Sequence, residues 1–193
     1  MATAEIYDAD LNPTKDEVAA KYSKITKVKG SYRAVDPDDV VGIEVLVGND
    51  GDGNLCQLGL SYRPANRGLD TELLRMQHSE LGERSVAYLT DDAVAVRELI
   101  RMIVTGDKGA DYNNGEPIFL VKGNGKTPDT SVDNVLIDES NGWTSIGTVD
   151  IDGEPHRYQL RLTKRIHGQT CDDDELALER EDGATLVRLE VWR

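Results

Sequence analysis

The chain has 193 residues, with 22 Lys plus Arg against 36 Asp plus Glu, a formal net charge of −14 (22 − 36). With 38% hydrophobic residues it has the material for a core, so wholesale disorder is excluded, and its acidity argues against a nucleic-acid partner. No apolar run approaches the ~20 residues that span a bilayer, so no membrane role is expected.

Met1 leads straight into Ala2-Thr3-Ala4-Glu5, without the pattern of a secretory signal, and Cys56 and Cys171 are too few for a disulfide framework. A soluble cytoplasmic protein of one domain or two small ones is expected. Ala4 to Ala9 has the composition of a brief strand. Thr14-Lys15-Asp16-Glu17 is a capping box, in which hydroxyl and carboxylate each satisfy a free amide of the first turn, so a helix is predicted over 14–23.

A β-hairpin follows. Ile43, Val45 and Val47 alternate with Glu44, Leu46 and Gly48; Cys56, Leu58, Leu60 and Tyr62 alternate with Gln57, Gly59, Ser61 and Arg63. Period-two alternation predicts strands with one buried face and one wetter face. The turn, Asn49-Asp50-Gly51-Asp52-Gly53-Asn54, is rich in residues that tolerate positive φ. Two further strands are predicted at Leu73–Ser79 and Arg84–Leu89. Thr90 or Asp91 then caps a helix whose Val96, Leu99, Ile100 and Ile103 fall on one side, with Arg97, Glu98 and Arg101 pointing elsewhere and Gly106 as its stop.

The polar, Gly/Asn-rich segment 107–116 reads as a linker. Strand-like runs follow at Ile118–Lys122, Val132–Ile137, Thr144–Val149, His156–Thr163, Glu175–Arg180 and Thr185–Trp192, with tight turns at Asp152-Gly153 and Asp182-Gly183. Segment 172–182 holds seven acids and one Arg (1 − 7 = −6), the charge expected of a solvated edge hairpin. The fold class is α+β, antiparallel sheets with two helices, divided as 1–106, a linker over 107–116, and a β-rich half over 117–193 that is either separate or continuous with the first. Gln57-Leu58-Gly59-Leu60 and Gln159-Leu160-Arg161-Leu162 echo each other across the linker, either as related sheet halves or as the chance likeness of amphipathic strands.

Motifs that carry chemistry fail on inspection. Gly123-Asn124-Gly125-Lys126-Thr127 ends like a phosphate-binding loop, but Leu120 stands where its first Gly belongs and no amphipathic helix follows. Counting from Asp50, the closing Glu of a calcium loop falls on Ser61. His78, His156 and His167 have no metal-ligand spacing among them. Cys56 lies on an apolar face, and Cys171 sits beside acids that raise a thiol's pKa. His167-Gly168-Gln169 is similar to the catalytic loop of small-molecule kinases, yet an amide stands where that loop needs a carboxylate base. No catalytic residue, metal ligand or cofactor-binding residue is assigned. The candidate binding surface is the cluster of Tyr62 and Arg63 at the end of the first hairpin with His78, Glu80 and Arg84 around the next turn. The competing reading is a structural corner of ion pairs and a packed Tyr.

Val41-Gly42-Ile43-Glu44-Val45, Leu58-Gly59-Leu60-Ser61-Tyr62-Arg63-Pro64-Ala65 and His78-Ser79-Glu80-Leu81-Gly82-Glu83-Arg84-Ser85-Val86-Ala87-Tyr88 together resemble maltokinase N-terminal cap-like domains, stand-alone or fused actinobacterial modules. Leu11-Asn12-Pro13-Thr14-Lys15 is similar to the approach to the first helix of that family. The resemblance spans about residues 4–105 and implies a cystatin-like cap, a helix laid against an antiparallel sheet. The kinase lobes that bind ATP and sugar in maltokinases have no counterpart here, so none of their residues carries over. The expectation is a non-enzymatic accessory module without a cofactor, docking on a protein partner such as a sugar kinase or a glucan or trehalose enzyme. The alternatives are a carbohydrate-binding protein stacking sugars on Trp143, Trp192 or Tyr62, and a divergent sugar-phosphotransfer component.

Overall fold

The computed structural model describes residues 3–168, 170–172 and 174–193. Over these residues the chain is α+β, with two α-helices, two six-stranded antiparallel sheets and one two-stranded parallel pair. A two-residue strand β1 (Thr3–Ala4) replaces the longer strand expected at the N-terminus, and β2 (Leu11–Asn12) precedes helix α1 (Lys15–Tyr22). Both halves of the capping box form: Thr14 Oγ1 accepts from the Glu17 amide at 3.3 Å, and Glu17 Oε2 accepts from the Thr14 amide at 2.8 Å.

The next strand, β3 (Lys27–Val35), was not legible in the sequence, because basic and polar residues interrupt its alternation. The predicted hairpin follows as β4 (Gly42–Asn49) and β5 (Leu55–Pro64), and the next pair as β6 (Leu74–His78) and β7 (Gly82–Tyr88). The first sheet runs β2-β6-β7-β5-β4-β3. Helix α2 (Ala93–Thr105) is capped by Asp92, whose carboxylate accepts from the Val94 amide at 3.1 Å. Thr90 and Asp91, the expected caps, belong instead to a short 3-10 turn before it. Gly106 stops the helix in the left-handed conformation, at φ 70°.

After α2 come β8 (Asp111–Tyr112), which lies within the expected linker and pairs with β1, and β9 (Val121–Gly123). The remaining strands are β10 (Val132–Ser140), β11 (Thr144–Ile151), β12 (Glu154–Leu162), β13 (Leu176–Arg180) and β14 (Thr185–Trp192). The second sheet runs β10-β11-β12-β14-β13-β9. The acidic hairpin is therefore not at an edge: β13 lies between β14 and β9, with Ala177 and Leu178 buried, and its charge sits on the turns and outward positions.

The expectation of a wetter face on the first hairpin is overturned. Ile43, Val45 and Val47 pack into one core with α2 and with Val149, Leu160, Leu162 and Val187 of the second sheet, while Leu46, Cys56, Leu58 and Leu60 pack against Val18 and Ala19 of α1. The middles of β4 and β5 are covered on both faces, so Glu44, Gln57 and Ser61 are as hidden as their apolar neighbours. At Gly59 the two sheets come close, since a Cβ there would lie 2.7 Å from Leu162 Cδ2.

The Gln57/Gln159 echo does not correspond to equivalent surroundings. Leu58 and Leu60 pack in the cluster of α1, whereas Leu160 and Leu162 pack in the core that joins the two sheets.

Candidate functional site

Register and pleat select what can meet on the first sheet. Arg33 pairs with Glu44, Glu44 with Leu60, Tyr62 with Val86, and Met76 with Arg84. Side chains two apart share a face, so Ser31, Arg33, Glu44, Tyr62, Met76, His78 and Arg84 all lie on the face that carries α1. That helix has only eight residues and its Val18 and Ala19 cover only the part of the face around Leu46 and Leu58. Beyond its N-terminus a cleft of about 450 Å³ remains, walled by the N-terminal segment 3–11, β3, β4, the 36–43 segment and the β6–β7 hairpin.

Glu44 is the floor of this cleft and is 1% exposed. Its Oε1 accepts from Lys15 Nζ at 2.8 Å and Ser31 Oγ at 2.7 Å and lies 3.0 Å from an Arg33 guanidinium nitrogen; its Oε2 accepts from the Tyr62 hydroxyl at 3.2 Å. Burial alone would raise the pKa of this carboxyl, but Arg33 and Lys15 outweigh it and hold the pKa at about 2. Burial, reinforced by Glu44, pushes the Tyr62 phenol far upward, so it remains a donor.

His78 also lines the cleft. Its Nδ1 accepts from the backbone amides of Glu80 at 3.2 Å and Leu81 at 3.1 Å. With Nδ1 occupied as an acceptor, the proton of the neutral ring sits on Nε2, which is then a donor. Burial, and then the nearby Arg84, lowers the pKa of His78, so the ring is neutral at pH 7.

Of the five residues predicted to gather here, three do: Tyr62, His78 and Arg84 line the cleft. Glu80 is exposed in the β6–β7 turn and contributes only its backbone amide, to His78. Arg63 lies on the opposite face, because adjacent strand residues point apart. There its guanidinium makes two bonds to Asp92, at 2.8 and 2.7 Å, fixing the N-cap of α2. Sequence reasoning missed Lys15, Arg33 and Glu44. Lys15 was visible as the first residue of a capped helix, but Glu44 read as a wet-face residue and Arg33 sat in an unrecognised strand.

The other motifs resolve into structural roles. The Gly123–Thr127 loop caps the C-terminus of α2: Gly125 donates to the Ile103 carbonyl at 2.9 Å, and Thr127 Oγ1 to that of Val104 at 3.0 Å. A Cβ at Gly123 would stand 2.0 Å from the Met102 carbonyl oxygen and one at Gly125 2.1 Å from that of Val104, so these glycines admit a helix end. Asp50 organises its own turn, accepting from the Asp52 and Asn54 amides, and pairs with Arg165 at 2.9 Å. Glu98, expected to point away from the core, is buried and bonded by Arg97 and Arg101, both at 2.9 Å. Burial and a bond to Glu179 raise the pKa of the Cys171 thiol. Trp143 packs partly against the core, and Trp192 is 42% exposed. Gln169 of the kinase-like triplet lies outside the described residues. Among the described residues no group of three or more metal-binding side chains occurs, and no helix is long and apolar enough to cross a membrane. Compared with known proteins, the sequence matches no family model and no curated relative.

Proposed function

We propose that this chain is a non-catalytic binding module whose recognition site is the cleft above Glu44. The observation that carries this reading is the state of the two groups best suited to proton transfer. Glu44 is locked by four donors and held at a pKa of about 2, which makes it a poor base at neutral pH. His78 uses its free lone pair on two backbone amides and offers a donor in its place. What the cleft does offer is recognition chemistry: apolar walls at Leu11, Met76 and Leu81, the rings of Tyr7 and Tyr62, and a few convergent donors.

The cap resemblance supplies the setting, an accessory module acting beside a sugar kinase or a glucan or trehalose enzyme, with the cleft as its sensing site. The test is a thermal-shift screen of the full chain against sugars, organic acids and phosphate esters, with recovery of each ligand unchanged. A hit is expected to weaken about fivefold in a Tyr7→Ala, Leu81→Ala double variant, both residues being exposed at the cleft mouth. A screen without hits, or phosphate transfer to a sugar in the presence of ATP, would overturn the reading.

A further inference from the structure

Given the binding role just proposed, we infer that the cleft takes a small organic oxyanion, a carboxylate or phosphate ester, with its charged group at Arg84 and its body against Tyr62, Met76 and Leu81. The argument is the distribution of charge. In a chain of net charge −14, the lining of this cleft holds three cations, Lys15, Arg33 and Arg84, and four carboxylates, Glu5, Asp36, Asp39 and Glu44 (3 − 4 = −1), so what matters is which of them are already paired. Lys15 and Arg33 share a single buried carboxylate, Glu44, so that centre keeps one positive charge in excess (2 − 1 = +1). Arg33 Nε is buried without a hydrogen-bond partner.

Among the described residues Arg84 donates only to the Tyr62 carbonyl, at 3.3 Å, and no carboxylate forms a salt bridge with it. Three acids border the same space. Asp36 is committed to the Val40 and Val41 amides, at 3.1 and 3.0 Å, and lies 3.5 Å from an Arg97 guanidinium nitrogen. Glu5 accepts from the Tyr7 hydroxyl, and Asp39 is exposed, where water and salt screen its pull on Arg84. Among the described residues, most of the Arg84 fork and the Nε2–H of His78 are donors without a partner, while the acceptor left unpartnered, Asp39, is out in solvent. A guanidinium fork suits the paired oxygens of a carboxylate or phosphate, and the positive charge left over where Lys15 and Arg33 share Glu44 lies in the same cleft.

Isothermal titration of the full chain tests this with benzoate, phenyl phosphate, benzyl alcohol and maltose at low salt, on wild type, Arg84→Gln and Arg84→Lys. At least one anionic probe is expected to bind, about tenfold more weakly to Arg84→Gln and about fivefold more weakly to Arg84→Lys, which keeps the charge but loses the fork. The preference between benzoate and phenyl phosphate distinguishes the carboxylate source from the phosphate one. Benzyl alcohol or maltose binding as tightly as the anions, or Arg84→Gln binding benzoate and phenyl phosphate unchanged, would overturn the oxyanion assignment while leaving the binding-module reading standing. No heat from any of the four, with near-ultraviolet circular dichroism confirming the fold, would overturn the assignment as well, and the wider thermal-shift screen would then decide the module reading separately.

Discussion

On one face of the first sheet a carboxylate, Glu44, is buried among cations and hydroxyls. On the other a neutral amide, Gln57, is buried among a phenol and two carbonyls. Gln57 Oε1 accepts from the Tyr32 hydroxyl at 2.9 Å, and its Nε2 donates to the carbonyls of Thr163 at 2.8 Å and Leu186 at 2.7 Å. Three of its four hydrogen-bonding directions end on protein atoms, two of them in the second half of the chain, so this centre joins the two sheets and has no donor left to offer. The Glu44 centre is equally buried at its floor but has more positive charge than it needs and opens to a cleft. Satisfaction without surplus makes a structural joint; satisfaction with surplus is the ground of the binding site proposed above.

The comparison can be broken from either side. The largest effect is expected from Glu44→Ala, which leaves Lys15 and Arg33 facing each other without their carboxylate. Breaking a buried pair in this way costs about 3 kcal/mol here, at the low end of the usual range because Lys15 can turn to water. Urea denaturation reads that loss, and an unchanged midpoint would show that the cations relax freely. Gln57→Leu should cost somewhat less, about 2 kcal/mol, since it strands the Tyr32 hydroxyl and the Thr163 carbonyl while Leu186 O still accepts from the Thr163 amide. Unlike loss of Glu44, this change should leave ligand affinity in the cleft unaltered, and titration would check it.

The smallest difference is one of pH. The pKa of Glu44 is lowered from 4.5 to about 2 by its neighbours, so its contribution to stability is complete above 4.5 and is lost as pH falls toward 2. Denaturation midpoints measured across that window should decline less steeply in Glu44→Gln than in the wild type. The Gln57 centre has only the Tyr32 phenol to titrate, its pKa pushed upward by burial, and Gln57→Leu should follow the wild-type acid slope.

Helix α1, both hairpins of the first sheet and the helix stop at Gly106 were legible because each is written in local chemistry: a capping box, period-two alternation, a residue free to adopt positive φ. The candidate site was legible only in part. Tyr62, His78 and Arg84 were found because a turn brings β6 and β7 back beside the hairpin. Arg63 was grouped with them only because it is adjacent in sequence to Tyr62, and the pleat separates the two. Glu44 was missed because a charged residue in an amphipathic pattern reads as solvent-facing when the second covering layer is unknown, and Arg33 because the interrupted alternation of β3 hid its strand.

The sequence by itself determined the α+β class, the acidity of the chain, most strand positions, the start of α1 and the stop of α2, since propensity, capping and alternation act within a few residues. Tertiary structure alone decided that both faces of the first sheet are covered, that Gln57 fastens one half of the chain to the other, and that α1 stops short enough to leave Arg84 bordering an open cleft. Those outcomes depend on contacts between residues as much as 129 positions apart, where burial rather than local pattern sets whether a polar side chain must find a partner.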